Sequence, residues 1–150
     1  MKRLINRGAL ALLALAFAGC DEKLSSITGP TPDLSPSFSS IQRTIFSASD
    51  SSSRLACIGC HTDQGRTPAG PGLVLLEGRA YDNLVGRPSV GKPGEVRVIP
   101  GDPNNSYLVK KLEGHPDIAG QRMPRGNGPF LSEGQMLVIR RWIAEAPQNN

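Results

Sequence analysis

The chain has 150 residues, room for one domain, with 38% hydrophobic, 5% aromatic and 20% charged residues and a formal net charge of +4. The basic excess sits at the start, in Lys2, Arg3 and Arg7, and the chain from Cys20 onward is close to neutral. No other run of Lys or Arg makes a footprint for a polyanion, so no nucleic-acid partner is expected.

Residues 1–19 read as an export signal. The three cations precede "ALALLALAFA" at 9–18, well short of the roughly 20 apolar residues of a spanning helix. The junction "LAFAGC" places small Ala18 and Gly19 before Cys20 and resembles the lipobox of bacterial lipoproteins. That resemblance implies acylation of Cys20, which becomes the new N-terminus. The alternative is ordinary cleavage near Ala18, which leaves Cys20 as an unpaired thiol in an oxidising compartment. Acylation gives a stable membrane anchor, so the expected location is outside the cytoplasm, lipid-anchored to a bacterial membrane on its periplasmic side. Residues 20–37, rich in Ser, Thr and Pro, read as a flexible tether, and 38–150 as the folded domain.

Phe38, Ile41, Ile45 and Phe46 fall at helical spacing after a serine run suited to capping, which predicts a short first helix. A polar stretch, "SASDSSSR", then leads to "RLACIGCHTDQG" at 54–65. "TPAGPGLVLLEG" predicts a loop with a brief apolar run at Leu73–Leu76, and "RAYDNLVG" a short helix closed by Gly86. Residues 87–101 predict a loop or a small strand pair around Val96 and Val98. In "GDPNNSYLVKKLEG", Asp102 is a candidate cap, Pro103 suits a first turn, Leu108, Val109 and Leu112 make an apolar stripe, and Gly114 ends the helix. The last helix carries a capping-box signature in Ser132 and Gln135, an apolar face of Met136, Ile139, Trp142 and Ile143, Arg140 and Arg141 on the other side, and a stop at Pro147. The fold class expected is all-α: about four short helices joined by Gly/Pro-rich loops. So few aromatics make a thin core for this length, and a large apolar prosthetic group at the centre would repair the deficit.

Cys57-Ile58-Gly59-Cys60-His61 admits several chemistries. A redox dithiol wants CxxC opening a helix after a strand. A zinc site wants a second ligand pair, and the only other histidine is the isolated His115. A Cys57–Cys60 disulfide leaves His61 unexplained. Attachment of a c-type haem accounts for all five positions: two thiols for the two vinyl groups, and an adjacent imidazole for the iron. A sixth ligand must come from elsewhere. Met136 lies on the stripe of the last helix and reads as core; His115, between a helix-ending Gly114 and Pro116, reads as a turn residue. Met123, in the loop "GQRMPRGNG" and held extended by Pro124, is the candidate.

Together, Cys57-x-x-Cys60-His61, "VIPGDPNNSYLVKKLEG" at 98–114, "RMPRG" at 122–126 and "LSEGQMLVIRRWIAE" at 131–145 resemble the small class I-type monohaem cytochrome c domains of bacterial membrane and periplasmic proteins, over about residues 38–146. The resemblance implies a small helical fold wrapped around one covalent haem c, thioethers at Cys57 and Cys60, a proximal ligand at His61 and a distal ligand at Met123. One departure is the long stretch from Phe46 to Cys57, which is expected to loop out.

His/Met ligation implies low-spin iron suited to electron exchange, with a potential raised by the thioether and by burial among Leu108, Leu112, Ile139 and Trp142. The carbonyl of Pro71 is the expected acceptor for the second N–H of His61. The function this implies is a membrane-tethered electron carrier, not an enzyme, whose partners are a redox protein donor and acceptor. The alternative is a haem enzyme or gas sensor with an opened sixth site.

Overall fold

The computed structural model describes residues 34–64 and 72–150. The expectations for the leader, for Cys20 and for Pro71 lie outside these residues, as does the tether up to residue 33. Among the described residues no helix is long and apolar enough to cross a membrane.

Helix α1, Phe38–Ile41, is capped by Ser37, whose hydroxyl accepts from the Ser40 amide, and it widens into a π-helical turn over Gln42–Phe46. The predicted apolar positions Phe38, Ile41, Ile45 and Phe46 are all buried, and so is Leu34. Packing therefore begins four residues before the boundary expected at 38. The chain then makes a 3-10 turn at Cys57–Gly59 and forms α2 (Ala80–Leu84), α3 (Tyr107–Glu113) and α4 (Glu133–Ala144).

Between α2 and α3 the expected strand pair is reduced to isolated bridges, Val85 with Val98, Pro88 with Val96 and Ile99 with Asp102. Helix α3 starts later than Asp102 and Pro103 suggested. The Asp102 carboxylate instead accepts from the amide and side chain of Asn105, while the Ser106 hydroxyl accepts from the Ile99 amide and donates to the Asp102 carbonyl. These local bonds hold 99–106 in a turn that the helix cannot invade. At its other end α3 stops at Gly114, in the left-handed region at φ 76. Helix α4 has the full capping box between Ser132 and Gln135.

The core is built where α1, α3 and α4 meet. Ile139 and Ile143 are fully buried on one face of α4, and Leu108, Val109 and Leu112 supply the buried stripe of α3. Trp142 packs on Phe38 at 5.2 Å between ring centroids, and Phe38 on Tyr81 at 5.3 Å, giving three of the few aromatics one common contact. Arg140 is not merely solvated: it forms a two-pronged ion pair with Glu113 and donates to Asn104, binding α4 to α3.

The last residues close the far side. Tyr81 donates its hydroxyl to the Pro147 carbonyl and Trp142 its indole N–H to that of Gln148. The amides of Phe38 and Ser39 donate to the side chain and carbonyl of Asn150, satisfying donors that a helix start leaves unpaired.

Gly114 provides a test of this architecture. A Cβ there would meet the Arg122 side chain at 2.9 Å, and the left-handed backbone itself disfavours an L side chain by about 1–2 kcal/mol. Gly114→Ala is expected to lower unfolding free energy by more than that amount in urea titrations, because the clash with Arg122 adds to it, whereas Gly78→Ala, with an open Cβ site at φ +72, loses only the backbone part. Equal losses would show that Arg122 is not held where described.

Candidate functional site

The five-residue motif sits between α1 and the apolar run. Its 3-10 turn is closed by the Cys60 amide donating to the Cys57 carbonyl at 3.1 Å, the His61 amide donates to the same carbonyl at 2.9 Å, and the Leu75 amide donates to the His61 carbonyl at 2.9 Å. Gln42 on the π-turn donates to the Leu75 carbonyl, so the motif, the apolar run and α1 are locked as one wall.

The polar stretch before the motif does not loop out as a whole. Ser51, Ser52 and Ser53 are exposed, but Arg54 is buried. Its guanidinium pairs with Asp50 at 2.9 Å and donates to the carbonyls of Ile45, Ala48 and Leu55. This arginine gathers the residues around it about one buried charge and holds them against the π-turn. Its Nη1 also lies 3.9 Å from the Cys57 sulfur, which itself faces the Ile45 carbonyl at 3.5 Å.

A cavity of about 440 Å³ opens beside the motif, lined by Cys57, Cys60 and His61 on one side of the sequence and by Met123 on the other, with Phe46, Leu73, Leu75, Leu84, Leu108 and Leu112 among the apolar walls. Its volume and lining are those of a small-molecule or cofactor site rather than a packing defect. All four residues read from the sequence as cofactor-binding thus line one space. His115 does not: it is exposed, its Nδ1 accepts from the Asp117 amide, and it is not among the lining residues. Met136 is buried in the core. Ile139 and Trp142, expected beside the cofactor, also belong to the core and not to the cavity wall.

Burial lowers the pKa of the His61 imidazole, helped by the nearby charges of Arg97 and Lys111 and opposed by a hydrogen bond to the Leu73 backbone. The imidazole is therefore held neutral and oriented, the state a metal ligand needs. The Leu73 backbone thus takes part in orienting the ring. Cys57 and Cys60 are free thiols, and burial pushes the Cys57 thiol up despite the Arg54 charge. A thiol so disposed is the reverse of an attacking dithiol, whose thiolate is stabilised. Among the described residues no group of three His, Cys, Asp or Glu side chains is disposed to hold a metal ion.

Met123 is half-buried and packs against the core. Its amide donates to the Lys111 carbonyl at 2.9 Å, and Arg122 beside it donates to the Leu112 carbonyl at 2.7 Å while its guanidinium covers the Phe130 ring at 3.9 Å. The charged residues on the cavity wall are Arg97, Lys111 and Arg125; among the described residues no carboxylate lines it. Arg97 is buried and donates to the carbonyls of Asn83 and Gly72.

Arg54, Arg97 and Lys111 belong to no motif in the sequence. The signal for Arg97 is its alternation with Val96 and Val98, which sets it on the face opposite to both. Lys111 is marked by helical spacing, one turn from Leu108 and next to Leu112 on the apolar stripe.

The Asp50–Arg54 pair generates a pH dependence. Burial raises the Asp50 carboxyl, but hydrogen bonds from Ser52 and Arg54 and the Arg54 charge outweigh it and bring the pKa to about 2, against 3.8 ordinarily. Ionised Asp50 therefore stabilises the fold at pH values above about 4, and that contribution fades as pH falls towards 2. Asp50→Asn is expected to cost about 2 kcal/mol at pH 7, with a parent–variant gap that closes in acid. Urea unfolding at pH 7, 4 and 2.5 measures it; a gap independent of pH would refute the pairing.

Comparison with family models, with curated proteins and with solved structures finds no match for this chain.

Proposed function

We propose that the chain is an electron-transfer protein carrying one covalently attached haem c, joined through Cys57 and Cys60, with His61 and Met123 as axial ligands. The observation that carries this reading is that a single apolar cavity is lined both by the whole Cys-x-x-Cys-His motif and by a methionine from a distant loop. The cavity's residues fit that group in three ways: two free thiols three positions apart, a desolvated neutral imidazole next to them, and apolar walls with Arg97 available to its carboxylates.

Bound haem would supply one-electron exchange at iron, with Cys57, Cys60, His61 and Met123 as the residues that would hold it. The chain does the rest. Cys57 and Cys60 offer the attachment points, His61 is oriented through Leu73, and Met123 supplies a soft thioether that favours the reduced metal. Phe46, Leu75, Leu108 and Leu112 exclude water and so disfavour the extra charge of the oxidised centre.

The attachment to a membrane is part of the same proposal. The leader, the small residues before Cys20 and the Ser/Thr/Pro-rich segment after it support a lipid anchor and a tether, with the domain at the periplasmic face and redox proteins of that compartment as donor and acceptor.

Met123→Ala is expected to lower the reduction potential of the haem-loaded protein and to tighten cyanide binding by tenfold or more, on the order expected when a competing internal ligand is removed. Redox titration and absorption spectra of parent and variant measure both. An unchanged potential would sink the assignment of Met123, and a high-spin ferric spectrum in the parent would favour a sensor or enzyme with an open sixth site. Cys57→Ser with Cys60→Ser is expected to make the haem extractable by acid acetone.

A further inference from the structure

The loop that delivers Met123 has little to hold it by its own composition. Residues 115–126, "HPDIAGQRMPRG", contain two prolines, two glycines and no regular helix or strand, and apart from Met123 only Ile118 and Ala119 are aliphatic. Ordering such a segment costs conformational entropy that its apolar contacts do not offset. A bound state in which Met123 stays at the cavity therefore needs specific ties.

Lys111 supplies an unusual set of them. Its carbonyl accepts from the Met123 amide at 2.9 Å. Its side chain runs the other way: the ammonium donates to the Ala119 carbonyl at 3.0 Å and to the Gln121 carbonyl. One residue of α3 thus grips the loop at three residues, on the near side of Met123 and at Met123 itself. A fourth bond, from the Ala119 amide to the Tyr107 hydroxyl at 2.9 Å, joins the same stretch to the same helix. Lys111 is half-buried on the cavity wall, where its cation has no carboxylate partner among the described residues and is compensated by carbonyl dipoles.

We propose that Lys111 is a positioning residue for Met123: by tying the carbonyls of Ala119 and Gln121 to α3, its ammonium sets how firmly the thioether occupies the sixth coordination position. This rests on the reading of Met123 as an axial ligand. An external ligand enters only when Met123 has left, so its apparent affinity scales with the fraction of loop released. Removing the ammonium raises that fraction and leaves the Met123 amide bond and the thioether in place.

The test uses the haem-loaded full chain and imidazole as the external ligand, followed by the ferric absorption spectrum and by redox titration. Lys111→Leu and Lys111→Gln are expected to bind imidazole on the order of tenfold more tightly than the parent with a lowered potential, and Lys111→Arg, which keeps a cationic donor, to restore parent-like binding. Met123→Ala serves as the fully released reference. If Met123→Ala opens the iron and the Leu and Gln variants bind imidazole like the parent, Lys111 has no such role, although Met123 remains the ligand. If Met123→Ala itself binds like the parent, the axial assignment fails and the proposal with it. Loss of folding in all three Lys111 variants, read by circular dichroism, would show that the residue supports the whole domain and not the loop, and would overturn the proposal as well.

Discussion

The apolar wall that Leu108 and Leu112 of α3 share with Phe46, Leu75 and Leu84 is the constraint from which the rest of the molecule follows. On the outer side of α3 and α4 the wall is backed by a close-packed core of Val109, Ile139, Trp142 and Ile143. Its other side faces a cavity and not a second layer of helices. The described residues leave that space open, and loops as well as helices are shaped around it. The motif at 57–61, the apolar run at 72–75 and the stretch at 119–125 are those loops.

Loops have no ladder of their own to satisfy their backbone, and here cations do much of that work. Arg54 collects carbonyls from the π-turn and from the segment after it, Arg97 joins the turn before α2's end to the apolar run, and Lys111 joins α3 to the methionine loop. In each case a long side chain with several donors ties together backbone that is distant in sequence. Lys92 and Lys110 extend the pattern around Glu95, and Lys92 reaches Asp117. This keeps residues 88–95, which bring Ser89, Val90 and Gly91 to the cavity rim, aligned with the start of the methionine loop.

How much of this is legible in the sequence differs by element. The first and last helices are, because the spacing of Phe38, Ile41 and Ile45 and the pairing of Ser132 with Gln135 are local signals that the packed structure reinforces. The start of α3 is not: Asp102 looks like a cap, but its carboxylate is taken by Asn105, a competition between equally local bonds. The residues lining the site are legible as chemistry, since thiols, imidazole and thioether are rare in this chain. The residues that hold those groups are not, because Arg54, Arg97 and Lys111 bind carbonyls, and any residue has a carbonyl. Arg54 shows the difficulty best, a charge amid serines that the structure buries.

The C-terminal residues carry one further implication, concerning where a mechanical load would travel. The amides of Phe38 and Ser39 are held by Asn150, and Gln148 and Pro147 are fastened to Trp142 and Tyr81. Tension arriving through the chain ahead of Leu34 meets this clasp and the aromatic stack first. It is passed to α4 in shear, along the side of the domain built of close-packed side chains. The motif at 57–61 and Leu75 are bonded to the π-turn that continues α1, so the clasp carries a pull into α4 before it reaches Gln42 and the cavity wall behind it.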